Sequence, residues 1–138
     1  MSEEAFACDT SVALAALDAS HEAHSVCRHS LVELRPALAG HAAFETHSVL
    51  TRLPLPLRLS AAQASDVLAA AFPETCWLPA KESDRLRKTL GTLGIAGGSV
   101  YDALVGQAAR THGRTLLTRD RRAERTYQAV GVPYRFVT

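Results

Sequence analysis

Two aspartates stand at matching points in this sequence, each just beyond a short apolar stretch that predicts a buried strand. Asp9 follows residues 6–8 directly, and Asp120 follows residues 115–118 after one intervening arginine. In a parallel α/β sheet the carboxyl ends of the strands lie at one edge, and ligands bind there. The sequence therefore predicts that both carboxylates face one crevice.

Two further acids belong to predicted helices. Asp102 lies in the first turn of a helix that Ser99 is expected to cap and Gly113 to end, so its charge meets the positive end of the helix dipole. Glu45 lies on the apolar stripe of a helix predicted over residues 37–53. An unpaired carboxylate on such a stripe requires a partner from elsewhere in the fold.

Taken singly, each of these acids is better explained as a helix cap, a first-turn carboxylate or a surface residue. Taken together, Asp9, Glu45, Asp102 and Asp120 predict a cluster of like charges, which destabilises a fold unless a cation neutralises it. Oxygen ligands without histidine or cysteine favour Mg²⁺ or Mn²⁺. Such an ion activates water and stabilises charge on an attacked phosphoryl group, so the cluster indicates phosphate chemistry.

Basic residues surround the last acid of the cluster. They are Arg114, Arg119, Arg121, Arg122 and Arg125. Clustered arginines bind a polyanionic backbone without reading its sequence, although the same pattern is equally typical of a solvated helix face. The hydroxyls of Thr118 and Ser99 are placed to orient a carboxylate or a water, or serve as strand filler and helix cap.

Short apolar strands alternate with helices along the chain, which predicts a three-layer α/β/α sandwich with a mostly parallel central sheet. A length of 138 residues with 47% hydrophobic composition suits one domain spanning 1–138. Other predicted elements are a helix opened by a Ser60–Gln63 capping box, a strand over 75–78, an amphipathic helix over 81–93 and an edge strand over 134–137.

Composition excludes several classes of protein. The cysteines Cys8, Cys27 and Cys76 are odd in number and form no CxxC pair, and the histidines lack zinc-finger spacing. The sequence holds neither a secretory leader nor an apolar run long enough to cross a membrane. We therefore expect a reduced, cytoplasmic protein with no membrane partner.

Four motifs occur in a characteristic order: Asp-Thr-Ser from Asp9, Ala-Phe-Glu-Thr around Glu45, Tyr-Asp-Ala-Leu around Asp102 after a Gly-Gly-Ser turn, and Leu-Leu-Thr-Arg-Asp-Arg-Arg-Ala around Asp120. Together they resemble the PIN-domain proteins, and more narrowly the VapC-type toxin ribonucleases of type II toxin-antitoxin pairs. The resemblance extends from Asp9 to the last strand.

This resemblance implies a Mg²⁺- or Mn²⁺-dependent endoribonuclease whose catalytic residues are Asp9, Glu45, Asp102 and Asp120. By the same resemblance, Asp9 and Asp102 are the main metal ligands, and Asp120 binds the metal directly or through water. Glu45 then positions or deprotonates the attacking water. A homodimer and a cognate VapB-type antitoxin lying over the groove are also implied.

We expect RNA binding by the residues around the last acid, namely Thr118, Arg119, Arg121 and Arg122. Thr118 matches the family's hydroxyl residue two positions before that acid. Some relatives carry another acid soon after it, where this chain has Arg121 and Arg122. We therefore expect one tightly held ion in place of two.

Other functions fit the sequence less well. A receiver-type phosphate-accepting module needs a lysine at the end of a late strand, whereas this one ends in Thr118, Arg119 and Asp120. The segment GTLGIAGGS lacks the Gly-Lys-Ser/Thr ending of a nucleotide-binding loop. A PIN-fold module that binds RNA or a partner without cutting remains the alternative.

Overall fold

A five-stranded sheet forms the framework of the computed structural model, which describes residues 3–138; residues 1 and 2 of the predicted domain lie outside the described part. The strands are β1 Ala5–Cys8, β2 Ala37–Ala39, β3 Thr75–Cys76, β4 Arg114–Thr118 and β5 Tyr134–Phe136. Their order in the sheet is β3-β2-β1-β4-β5, and each neighbouring pair is parallel.

Helices cover both faces of this sheet. They are α1 Thr10–Leu17, α2 His24–Leu34, α3 Ala42–Leu50, α4 Ala61–Ala71, α5 Ala80–Leu93, α6 Ser99–Thr111 and α7 Glu124–Val130, the last preceded by a 3₁₀ turn at Arg121–Ala123. Helix α1 packs with α2 and α3, α6 packs with α5 and α7, and both α1 and α6 contact β4. The predicted three-layer sandwich is confirmed.

The strand order reverses direction beside β1. From β1 the chain moves outward to β2 and β3, then returns to place β4 on the opposite side of β1. Such a reversal opens a crevice at the carboxyl ends of the two strands. Cys8 pairs with Leu117 across this boundary, and the Asp9 amide donates to the Leu117 carbonyl at 3.2 Å. Asp9 and Thr118 consequently lie side by side at the edge.

The predicted helix over residues 37–53 is wrong at its beginning. Ala37–Ala39 forms strand β2, and α3 begins at Ala42. Gly40 makes the turn between them with a φ of 46°, and a Cβ there would lie 3.0 Å from the Cβ of Ala108. A three-residue, alanine-rich strand shows no alternation of apolar and polar residues. The helical periodicity that begins at Ala42 therefore placed the start of the predicted helix too early.

Helix ends agree with prediction in some places and differ in others. The Ser60–Gln63 capping box is present, with the Gln63 amide donating to Ser60 Oγ at 3.1 Å. Helix α6 begins at Ser99 itself, after Gly98, so the expected Ser99 cap is wrong. Asp9 caps α1, its side chain accepting a hydrogen bond from the Val12 amide. Within residues 3–138, no helix has the length and apolar character needed to cross a membrane.

Candidate active site

All four predicted acids line one cavity of about 230 Å³ at the carboxyl edge of the sheet. Its wall is completed by Thr10, Ser11, Leu14, Val105 and Tyr127. A larger groove of about 630 Å³ shares Ser11, Leu14 and Asp120 with this cavity. Arg119, Arg121 and Arg122 line that groove. The fold thus places the acid cluster beside an arginine-lined surface.

Asp9 is the most enclosed of the four acids, with 4% of its surface exposed. Its Oδ1 accepts hydrogen bonds from Ser11 Oγ at 2.5 Å and from the Val12 amide at 3.3 Å. Its Oδ2 accepts from Thr118 Oγ1 at 2.5 Å and from the Tyr127 hydroxyl at 2.8 Å. These donors therefore fix the orientation of both oxygens.

Two opposing effects act on the pKa of Asp9. Burial raises it, while the hydrogen bonds from Ser11, Thr118, Tyr127 and the Val12 amide lower it by stabilising the charged form. Burial and the neighbouring Asp9 charge also raise the pKa of Tyr127, so its hydroxyl is a neutral donor. The net effect is a raised pKa of Asp9, so its four donors offset only part of the effect of burial.

The pKa of Asp102 gives the most direct evidence that the four acids lie close together. It is half-buried in the first turn of α6, and its pKa is raised to about 6. Burial is the largest cause, followed by the charges of Asp120, Glu45 and Asp9. Like charges that face one cavity disfavour ionisation of their neighbours. The predicted convergence of these carboxylates is present in the fold.

Glu45 lies at the border of the buried stripe of α3, which consists of Ala42, Thr46 and Leu50. Burial raises the pKa of Glu45, and the Asp9 charge adds to this increase. His41 opposes the shift, with its Nε2 at 3.8 Å from Glu45 Oε1. Glu45 thus contacts His41, four residues earlier in the chain, and not a partner from elsewhere in the fold as predicted from the sequence.

Thr118 and Asp120 connect the two strands of the crevice. The Thr118 hydroxyl donates to Asp9 and accepts from the Asp120 amide at 3.0 Å. Asp120 Oδ1 accepts from the Arg122 amide at 3.0 Å, and Arg122 Nε lies 3.7 Å away. Thr118 is fully buried, so its hydroxyl lies beneath the carboxylates and not on the exposed groove.

The predicted arginine cluster divides between the two ends of β4. Arg121 lies over the Phe136 ring at 4.3 Å, the Arg122 side chain is 96% exposed, and Arg119 donates to the Val137 carbonyl at 2.6 Å. Arg114 begins β4 at the opposite end of the strand and pairs with Glu74 at 2.8 Å. Its expected place around Asp120 is therefore wrong.

Sequence reasoning missed two residues of the site, Ser11 and Tyr127. Ser11 Oγ donates to Asp9 and accepts from the Arg119 amide at 2.8 Å, which ties α1 to the loop after β4. Its position two residues after Asp9 is the signal that could have identified it. Tyr127 carries only a general signal, since a buried tyrosine hydroxyl usually has a hydrogen-bond partner.

The donor set fits a hard divalent cation. Every acid of the cluster offers carboxylate oxygen, and the mutual repulsion that raises the pKa of Asp102 is what a cation would relieve. Across residues 3–138, no three His, Cys, Asp or Glu side chains are drawn together closely enough to hold an ion as they stand. The chemistry of the site therefore fits, although its ligands are not gathered around one point.

Comparison with known proteins agrees with this fold and site. The PIN domain family model matches residues 6–129. The chain is 44% identical over 126 residues to Ribonuclease VapC27 of Mycobacterium tuberculosis, covering 91% of this chain and 92% of that protein. It is 39% identical over 134 residues to Ribonuclease VapC40 of the same organism, covering 94% and 97% respectively.

A solved structure shares the fold at lower sequence similarity. The crystal structure of FitAcB from Neisseria gonorrhoeae aligns with a TM-score of 0.62 and 17% identity over 94% of this chain and 95% of that one. The family match and the two relatives cover nearly the whole described chain. This chain belongs to the PIN-domain family, and within it to the VapC-type proteins.

Proposed function

We propose that this chain is the toxin of a toxin-antitoxin pair, a metal-dependent endoribonuclease that hydrolyses RNA phosphodiester bonds with an activated water. One observation carries the proposal: four carboxylates converge on a single cavity beside an arginine-lined groove. Two relatives of nearly equal length carry the name ribonuclease. A purely binding surface has little reason to gather like charges that raise one another's pKa.

Asp9 and Asp102 would hold the metal ion, with Asp120 as a third ligand, directly or through water. A bound Mg²⁺ or Mn²⁺ supplies a more acidic water and stabilises charge on the attacked phosphoryl group. A second ion would need a further acid near Asp120. This chain has the positively charged side chain of Arg122 there instead. This arrangement supports one ion.

The other residues of the site position and exchange protons. Glu45 accepts a proton from the attacking water, and its raised pKa brings it closer to the pH at which a general base works well. Asp9 remains oriented by its donors throughout. Buried Thr118 acts on Asp9 in our proposal, in place of the direct RNA contact expected from the sequence.

The arginines of the groove bind the substrate. Arg121 and Arg122 are exposed beside Asp120, and Arg119 lines the same groove. Contacts from guanidinium groups to phosphates hold an RNA backbone in register without reading its bases. The scissile phosphate would thereby be delivered to the carboxylates.

We also propose the assembly that the family implies: one domain over 1–138, a cytoplasmic homodimer, and a cognate VapB-type antitoxin. Phe44, Trp77 and Tyr101 are exposed large aromatic side chains, and an apolar group of this kind marks a protein contact. The three buried cysteines are free thiols, which suits a reducing compartment. Light scattering of the chain alone and with the antitoxin measures both assemblies.

Cleavage of a mixed cellular RNA pool tests the proposed function. Purified, antitoxin-free protein is incubated with Mg²⁺, with Mn²⁺ or with EDTA, beside the Asp102→Asn variant. We expect discrete fragments that require metal and that the variant does not produce. Absence of cleavage by folded protein under every metal condition would instead favour the alternative, a PIN-fold module that binds RNA or a partner without cutting.

A further inference from the structure

Tyr127 is buried to 1% exposure in α7, yet its hydroxyl lies in the wall of the acid cavity. It donates to Asp9 Oδ2 at 2.8 Å, the same oxygen that accepts from Thr118. A ring this deeply buried needs no hydroxyl for packing alone, because phenylalanine would fill the same space. The hydroxyl is therefore a candidate for a role toward Asp9.

The packing beneath Tyr127 is built to bring it close. Gly106 lies inside helix α6, where glycine costs about 1 kcal/mol relative to alanine. A Cβ at Gly106 would lie 3.2 Å from Tyr127 Cδ1 and 2.9 Å from Val130 Cγ2. The missing side chain lets α7 approach α6, the helix that also carries Asp102. Tyr127 thus packs directly against the helix that carries Asp102.

We propose that Tyr127 is a positioning residue for the metal-binding carboxylate of Asp9; this inference rests on the metal site of the proposed function. Thr118 alone would leave Oδ2 of Asp9 held from one direction only. With Tyr127 present, both oxygens are held by two donors each. Hydrogen bonds from outer residues to ligating groups typically account for about 10–100-fold in metal affinity.

Metal affinity of the Tyr127→Phe variant tests this role. Free Mn²⁺ is measured by electron paramagnetic resonance, and Mg²⁺ binding by calorimetry, at a temperature well below unfolding. We expect affinity about 10-fold or more weaker than in the wild type. The matched control is Tyr134→Phe, whose hydroxyl donates to Glu124 at 2.7 Å, and which should bind both ions normally. Unchanged affinity in the folded Tyr127→Phe variant would overturn the proposal.

A measurement on the wild-type chain avoids any folding defect of the variant. The chain has three tyrosines, so ¹³Cζ-tyrosine labelling gives three resonances, assigned with Tyr101→Phe and Tyr134→Phe. During a Mg²⁺ titration the Tyr127 resonance should shift with the binding midpoint while the Tyr134 resonance stays in place. A Tyr127 resonance that does not move as Mg²⁺ saturates the protein would contradict the proposed role.

These experiments separate the two proposals. A wild-type chain that binds metal and cuts RNA, together with a Tyr127→Phe variant of equal affinity, overturns the positioning role alone. Metal binding weakened by Tyr127→Phe in a chain that cuts no RNA supports the positioning role and overturns the nuclease. A wild-type chain that binds neither ion overturns both.

Discussion

The charged side chains are arranged in opposite ways at the two ends of the central sheet. At the amino end, Arg114 pairs with Glu74 at 2.8 Å, and Glu4 pairs at 3.1 Å with Arg135, whose side chain reaches it from the middle of β5. At the carboxyl end, four acids face one cavity. The same strands therefore carry paired charges at one edge and concentrated like charges at the other.

The available cations at the carboxyl end only partly offset this concentration. Arg122 Nε lies 3.7 Å from Asp120, but its side chain is 96% exposed. His41 lies 3.8 Å from Glu45, and Glu45 nevertheless has a raised pKa. Paired exposed charges contribute little to stability, whereas unpaired clustered charges reduce it. Such a cluster favours a functional site, which is what the difference between the two edges indicates.

Neutralising one acid at each edge should produce the largest contrast. We expect Asp9→Asn or Asp102→Asn to lower RNA cleavage by about 10³-fold or more, because each removes a charge that we propose binds the metal ion. Glu74→Gln removes one charge at the amino end and should cut RNA at the wild-type rate. Cleavage rates under metal saturation, with circular dichroism to verify folding, measure the contrast. Wild-type cleavage by either aspartate variant would remove that residue from the site.

Charge reversal in the groove should have a smaller effect, and it should weaken RNA binding without changing the cleavage step. Arg121→Glu with Arg122→Glu should weaken RNA binding and reduce the slope of log affinity against log salt by about 1.4, or about 0.7 for each lost phosphate contact with a single strand. Arg85→Glu with Lys88→Glu on α5 changes the net charge equally and serves as the control. Equal slopes for the two double variants would make the groove arginines ordinary solvated residues.

The acids could be found from sequence because each position depends on a local pattern. Asp9 and Asp120 follow short apolar strands, and parallel strands end at a common edge, so neither a distance nor a partner had to be known. Asp102 followed from a helix opening in the same way. Such features need only the correct type of element, which periodicity provides.

The errors and omissions concern contacts that sequence proximity does not encode. Arg114 is close to Asp120 in sequence, but β4 is extended, and about 3.3 Å per residue takes Arg114 to the opposite edge. Tyr127 is 118 residues from Asp9 in sequence, and the close packing of α7 against Gly106 helps to bring them together. The positions of Arg114 and Tyr127 therefore depend on long-range structure, which local sequence patterns do not encode.

The smallest expected effect is on stability, and here the two edges should differ in sign. The pKa of Asp102 is raised from its ordinary value of 3.8 to about 6, so the folded chain binds more protons than the unfolded chain between these values. Stability of the metal-free protein is therefore lost as pH rises through that window. Asp102→Asn avoids this loss, whereas Glu74→Gln breaks the ion pair with Arg114 and lowers stability slightly.

In urea unfolding with EDTA, the stability of Asp102→Asn relative to wild type should increase from pH 4 to pH 6 and then level off. We expect a gain of about 1 kcal/mol at pH 7, kept small because solvent screens a half-exposed carboxylate. The difference between the two proteins cancels the titration of groups that do not interact with Asp102, whereas Asp120, Glu45 and Asp9 are coupled to it and contribute to the difference. A difference that stays constant from pH 4 to pH 7 would mean that the Asp102 charge is not strained by its neighbours, and the contrast between the two edges would then rest on geometry alone.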